Sequence, residues 1–540
     1  MRKLKTPIAF SILSLTLLFV SACKREANVP AADTAATTDS TAVAATAPDA
    51  TSTASMPAGS TSNCLAPPFL VSTVPSTVAY TTPKDFAALP RQADANCLAW
   101  QEFISLNWVA SSTMRGQPDT TVTPAQFGEP NDLRAVVWET YKESDEVFLA
   151  NAKDPGPWNS WPKGANPKVK VLGGMKSEFD PEPTLDLSDF GQASTGNPWL
   201  TAQSGILTLY ERRMNEDEYN YIWKNKLYDA DVQWDFVKAP VATTTVTQTQ
   251  PVGISLPDGT TSSAAYGPLG AIETKAAWLE LPDPKDWPRY KTSKAVVTYP
   301  GQTQSKTVTV GLVGLHIIHK TALGQQFIWA TFEHRDNAPD RTQVANNQLA
   351  PKYTYYNPKC DPATDPYKCV ANANPTTANG GNNKYEWPNQ VVRETPPPTR
   401  AQNNIVGLNQ YAWAQIAQGN PDSVFLNYEL VNTLWSNQNT TIQPGAHVPI
   451  FAGQLSPAPN QEPVTNTTLE TYVQSLTCLA CHASAAIATL KQNPTTKIYD
   501  PATSGSPSAA TNPYAAHYSF LLNNPEEPCS NQGNQYREGG

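Results

Sequence analysis

Lys306-Thr307-Val308-Thr309-Val310-Gly311-Leu312-Val313-Gly314-Leu315-His316-Ile317-Ile318-His319-Lys320 is followed closely by Phe327-Ile328-Trp329-Ala330-Thr331-Phe332-Glu333-His334. Both runs are rich in Val, Ile, Thr, Phe and Trp, the composition of strands. Leu323-Gly324 falls where the first run can turn back into the second, which predicts a β-hairpin. Residues 271–281 and 295–299 have the same character, so several strands precede the hairpin.

Working outward, Trp100, Phe103, Ile104, Asn107 and Trp108 recur at helical spacing and predict an amphipathic helix over 99–109. A second helix is expected over 137–148. Asn215, with Glu218 three residues on, caps a third, whose Tyr219, Ile222, Trp223 and Leu227 form one face. Each aromatic stripe reads as core. The expected fold class is α+β, a large body with an antiparallel β-sheet flanked by helices and long loops. The 14 Trp, 21 Tyr and 15 Phe supply the core, and 49 Pro imply the irregular connections.

The ends of the chain have a different character. Arg2, Lys3 and Lys5 precede an apolar run over 8–20, the pattern of an export signal. Val20-Ser21-Ala22-Cys23 looks like a bacterial lipobox, which would make Cys23 a lipidated N-terminus; the alternative is a plain secretory signal. Lys24 after the cysteine, by resemblance to sorted lipoproteins, favours the outer membrane. Residues 24–63 are Ala, Thr, Ser and Pro, too polar to bury a core, and read as a disordered tether. The folded body is expected over 64–465 and a smaller C-terminal segment over 466–540.

That last segment contains Thr477-Cys478-Leu479-Ala480-Cys481-His482, a C-x-x-C-H sequence. In this pattern two thiols form thioethers to a haem and the histidine binds its iron. A disulfide or another metal site are the alternatives, but zinc needs further ligands nearby, and Cys529 is the only other cysteine downstream of Cys369. Thr467-Thr468-Leu469-Glu470 reads as a capping box opening a short helix through Tyr472, Val473 and Leu476 that presents the cysteines. Ala480, Ala483, Ala485 and Ala486 are small enough to admit a porphyrin.

The other cysteines belong to an oxidising compartment. Cys360 and Cys369 bracket a short loop and are the expected local disulfide; Cys64, Cys97 and Cys529 leave one further pair and one remainder. The net charge of −9, without a basic cluster, argues against a nucleic-acid partner and leaves a redox protein or a small-molecule substrate.

Three of the six histidines, His316, His319 and His334, lie in the hairpin. His316 and His319 are an odd number of positions apart on one strand and leave opposite sheet faces, so a shared metal is not expected. Buried, hydrogen-bonded histidines are the plain alternative. No methionine follows Met214, so the sixth position of the haem iron falls to His316, His319, His334, His447, Met214 or His517, or stays open. His316, beside an apolar run, is the first choice.

Beyond the haem motif, Trp100-Gln101-Glu102-Phe103-Ile104-Ser105-Leu106-Asn107-Trp108, Tyr210-Glu211-Arg212-Arg213-Met214-Asn215-Glu216 and Gly314-Leu315-His316-Ile317-Ile318-His319-Lys320-Thr321 form a set with Trp329-Ala330-Thr331-Phe332-Glu333-His334 and Asn466-Thr467-Thr468-Leu469-Glu470-Thr471-Tyr472. The set resembles bacterial mono-haem cytochrome c family exported proteins over most of 97–522. The resemblance implies one covalent haem c and electron transfer, with defined roles only for Cys478, Cys481 and His482. Two functions follow as expectations: a membrane-anchored electron carrier, or a haem-dependent periplasmic oxidoreductase (peroxidase, oxygenase or dehydrogenase) with its substrate pocket in the large body. A haem-based ligand sensor is a third. Glu211, Glu216 and Glu333 are the candidate acid–base groups, though each reads more readily as a helix cap or a solvated carboxylate.

Overall fold

The Lys306–His319 run is too long to be covered by one neighbour, and this shapes the sheet. In a computed structural model it is a single strand. Along one edge it pairs with Ile272–Glu280; along the other its first half pairs with Thr292–Val297 and its second half with Ile328–His334. Tyr428–Leu434 extends the sheet beyond Ile328–His334, and Thr208–Met214 followed by Lys142–Glu143 extends it beyond Ile272–Glu280. These contacts are antiparallel; only Lys170–Leu172, beside Thr292–Val297, is parallel. Apart from short gaps, the described residues are 64, 77–85, 91–160, 170–172, 198–435, 465–488 and 516–523, so Cys23, His447, Cys529 and the 24–63 tether lie outside them.

Because side chains alternate along a strand, the long strand serves two layers. Leu315, Ile317 and His319 share a face with Phe332, which stacks on Phe103 at 4.3 Å and meets Trp100 edge-on at 5.2 Å. Both rings come from the helix Gln92–Leu106, which is buried nearly all round. The helix starts earlier than the aromatic spacing predicts, at Arg91–Asp94, where the Asp94 carboxylate accepts the Arg91 backbone N–H at 3.0 Å. It stops at Asn107, before Trp108.

The opposite face carries Gly314, His316 and Ile318, with Trp329, Thr331 and Glu333 from the hairpin partner. It is covered by residues from 465 onward. Asn466 Nδ2 donates to Thr331 Oγ1 at 3.0 Å and to the Phe332 carbonyl at 2.9 Å. Thr467 gives both its backbone N–H, at 2.7 Å, and its hydroxyl, at 2.5 Å, to Glu333. Tyr210 donates to the Thr468 carbonyl at 2.9 Å. The remaining donors close within the layer, Thr468 N and Oγ1 on Asn466 Oδ1 and Thr471 Oγ1 on the Thr467 carbonyl, as burial requires.

Two expected helices take other forms. Residues 137–148 break into a 3-10 turn Val137–Thr140, a strand Lys142–Glu143 and a single helical turn Ser144–Val147, because Lys142 and Glu143 pair with Met214 and Arg213. Over 465–477 there are turns and no helix. Glu470 does accept a backbone N–H, but from Asn466 at 2.8 Å rather than Thr467, whose N–H is taken by Glu333. The helix Glu216–Lys224 forms as expected, with the Asn215 side chain accepting from Glu218 N at 3.1 Å. The strands Thr208–Met214 and Tyr428–Leu434 and the helix Ile405–Gly419 were not anticipated. Disulfides join Cys360 to Cys369 and Cys64 to Cys97.

At Gly314 the covering layer lies directly on the strand: a Cβ there would run into Thr468 Oγ1 and lie 2.9 Å from Asn466 Oδ1. Gly314→Ala should therefore cost about 1–3 kcal/mol as an overpacking change. A lower urea midpoint with an unchanged slope is the expected result.

Candidate functional site

The C-x-x-C-H residues form one helical turn, Cys478–His482, at the end of the covering layer. Leu479 is buried beneath it, and Cys478 and Cys481 remain thiols rather than a disulfide. The His482 ring sits edge-on between Trp329, 4.5 Å away, and Phe520, 4.9 Å away. Trp329 comes from the same sheet face as His316, so the hairpin forms the floor of the site.

His482 Nδ1 is 2.7 Å from the Tyr518 carbonyl. An imidazole can only donate to a carbonyl, so the proton sits on Nδ1 and Nε2 keeps its lone pair. Burial pushes the His482 pKa down to about 4, with Lys275 and His316 adding to the effect, and the ring is neutral near pH 7. Burial pushes the Cys478 and Cys481 thiols up, the charge of Glu470 reinforcing it. Two thiols not joined as a disulfide and an imidazole whose Nδ1 is committed to a carbonyl are a donor set of the chemistry that thioether attachment and iron ligation need, and on that chemistry the residues fit a covalent haem.

The Tyr518 carbonyl is aimed by an unusual turn. His517 and Tyr518 both have left-handed backbones, φ 50° and 66°. Residues with a Cβ pay roughly 1–2 kcal/mol each for this conformation. His517 is pinned to hold it: Nδ1 accepts from Leu256 N at 3.0 Å and Nε2 donates to the Gln325 carbonyl at 3.1 Å. Nothing in the sequence marks a backbone carbonyl as a partner, and Tyr518 was missed for that reason.

The expected sixth-position residues are dispersed. His319 is on the far face, with Nδ1 2.6 Å from Glu102 Oε1 and Nε2 2.9 Å from the Leu269 carbonyl. His334 is held by the Arg289 carbonyl at 2.9 Å and by the Asp336 N–H at 3.2 Å. His517 is occupied as described. Met214 is buried, beside Glu273 in the ladder. His316 stands on the site's own face, paired across the sheet with Lys275, and its Nε2 is 2.8 Å from Glu470 Oε1. Burial opposes ionisation of Glu470, but the charges of His316 and Lys275 and the hydrogen bonds it accepts leave its pKa below the usual value.

The three expected acid–base carboxylates divide similarly. Glu211 accepts from Trp278 Nε1 and Arg213 Nε, both at 2.8 Å, and Glu333 is taken by Thr467 and Arg393. Burial and neighbouring Asp217 raise the Glu216 pKa. Among the described residues no group of three or more His, Cys, Asp or Glu is placed to hold a metal ion directly, and no helix is long and apolar enough to cross a membrane. No family model, curated protein or solved structure matches the chain.

Glu333 is the peg that fixes this layer. Glu333→Gln removes a buried charge from Arg393, which keeps only Glu429 at 2.8 Å, and weakens the bonds from Thr467. A loss of about 3 kcal/mol in chemical unfolding is expected.

Proposed function

We propose that the chain is an exported, lipid-anchored mono-haem c-type cytochrome that moves electrons through a haem attached at Cys478 and Cys481, with His482 as proximal ligand. The observation that carries this reading is the His482 Nδ1–Tyr518 carbonyl bond at 2.7 Å, made by the residue next to Cys481 in the helical turn that holds both thiols. A metal-binding histidine characteristically spends its other nitrogen this way, which fixes the ring and raises the basicity of the ligating atom. Bound there, haem iron supplies a one-electron couple. Trp329 packs against the His482 ring, and burial holds the imidazole neutral. The anchor rests on the lipobox-like Val20–Cys23 sequence, and an acidic surface suits a cationic redox partner.

A second reading, a haem-dependent oxidoreductase, is favoured by one contact. His316 Nε2 is engaged by Glu470, so His316 can reach iron through that nitrogen only if Glu470 releases it. If the pair holds, the sixth position is open to a small molecule, and His316 with Glu470 provides a hydrogen-bonded dyad for proton transfer beside it.

The readings separate on spectra of the purified exported protein with and without carbon monoxide. A ferrous six-coordinate low-spin form unmoved by carbon monoxide supports the electron carrier, and His316→Ala should then create a carbon monoxide site. High-spin iron that binds carbon monoxide supports the oxidoreductase. Replacing Cys478 and Cys481 together by Ala should abolish covalent haem in either case, leaving a chain without the haemochrome spectrum.

A further inference from the structure

Behind the turn that offers its carbonyl to His482 lie two buried acids. Glu273 stands on Ile272–Glu280, facing Met214 on one neighbouring strand and Ile318 on the other. Glu218 is in the first turn of the helix Glu216–Lys224, and its side chain does not complete the expected reciprocal cap: Asn215 N donates to the Ile272 carbonyl instead, at 2.9 Å. Glu218 is fully buried and Glu273 is 8 % exposed. The third member is Ser519, the residue after Tyr518; it is buried, donates its hydroxyl to Glu273 and accepts Leu521 N at 3.2 Å.

Both oxygens of Glu218 and one of Glu273 have no donor in reach when the acids are ionised. The charged group acting on the pair from the adjoining strand is Arg212; the C-terminal turn contributes only the Ser519 hydroxyl, and the helix contributes Glu218 itself. Two facing carboxylates in a low-dielectric interior cannot both ionise cheaply, and one retained proton turns the repulsion into a hydrogen bond.

We propose that Glu218 and Glu273 share one proton, and that this proton fastens the Glu216–Lys224 helix to the sheet. The fastening requires no haem and is independent of the function proposed above. Titration supports the geometry. Burial, reinforced by Glu273, holds Glu218 far above the usual carboxyl range, and burial drives Glu273 up to about 7 against the relief given by Ser519, Glu218 and Arg212. A carboxyl whose folded pKa exceeds its unfolded value stabilises the fold fully below the unfolded value, near 4.5, and loses that contribution as pH rises through about 7.

The test is thermal unfolding of the full-length holoprotein from pH 5 to 9, beside Glu273→Gln and Glu218→Gln. The wild type should lose stability as pH rises through about 7, and each amide, which donates a hydrogen bond without titrating, should flatten that fall. Should an amide variant fail to fold, the infrared carbonyl band of a protonated buried carboxyl in the wild type, present at pH 5 and lost by pH 9, gives the same answer. Unfolding curves that are flat across this range in the wild type, or an absent protonated-carboxyl band at pH 5, overturn the proposal. Absence of covalent haem overturns the proposed function alone, since melting and infrared spectra still read the acid pair.

Discussion

A strand covered on both faces cannot leave a polar side chain without a partner, and Lys306–His319 is covered from Val308 onward. Its two inward histidines meet this constraint in opposite directions. His319 reaches Glu102 on the Gln92–Leu106 helix at 2.6 Å, and His316 reaches Glu470 in the C-terminal layer at 2.8 Å. Burial alone would push the His319 pKa down and does push Glu102 up, but their mutual attraction holds His319 above its ordinary value. One strand thus keys both layers to the sheet through a carboxylate–imidazole contact on each side. Apolar packing supplies most of the energy; these contacts supply the register, since leaving any of the groups without a partner costs on the order of 1–3 kcal/mol.

The C-terminal layer adds Leu469, Leu479, Ile487, Leu521 and Leu522 to the core and is registered on it by polar pegs: Asn466 on Thr331, Thr467 on Glu333, Tyr210 on Thr468, and Ser519 on Glu273. The pegs place a short helical turn with two thiols and one imidazole against the tryptophan of the central hairpin. The strained backbone at His517 and Tyr518 is then affordable because His517 is bonded at both ring nitrogens. A large body around a small site makes sense on these terms, since the sheet and the Leu256 segment each hold one part of the surroundings of His482.

The hairpin was legible because composition and alternation act locally, and the same parity argument put His316 and His319 on opposite faces. Asn215 was legible as a cap for a similar reason. Glu218 was legible only as a helix-start residue; its carboxyl turns to Glu273, more than fifty positions away, and no local rule carries that information. The Thr467–Glu470 box misled because Glu333 outbids it for the Thr467 N–H. Residues 137–148 misled because Lys142 and Glu143 are claimed by a distant strand, and that strand hid behind the charges of Glu211 and Arg213, which pair with each other within the sheet. At the site, the two thiols and the imidazole were plain from spacing, whereas Tyr518, Trp329 and Phe520 enter only through tertiary contact.

Peptide mass spectrometry of the protein purified from a host with haem-maturation machinery tests the central claim most directly. The account predicts that the peptide containing residues 478–482 carries the mass of one haem, with both thiols consumed and no other peptide modified in this way. A bare peptide with two alkylatable thiols, or with Cys478 and Cys481 joined as a disulfide, would contradict it.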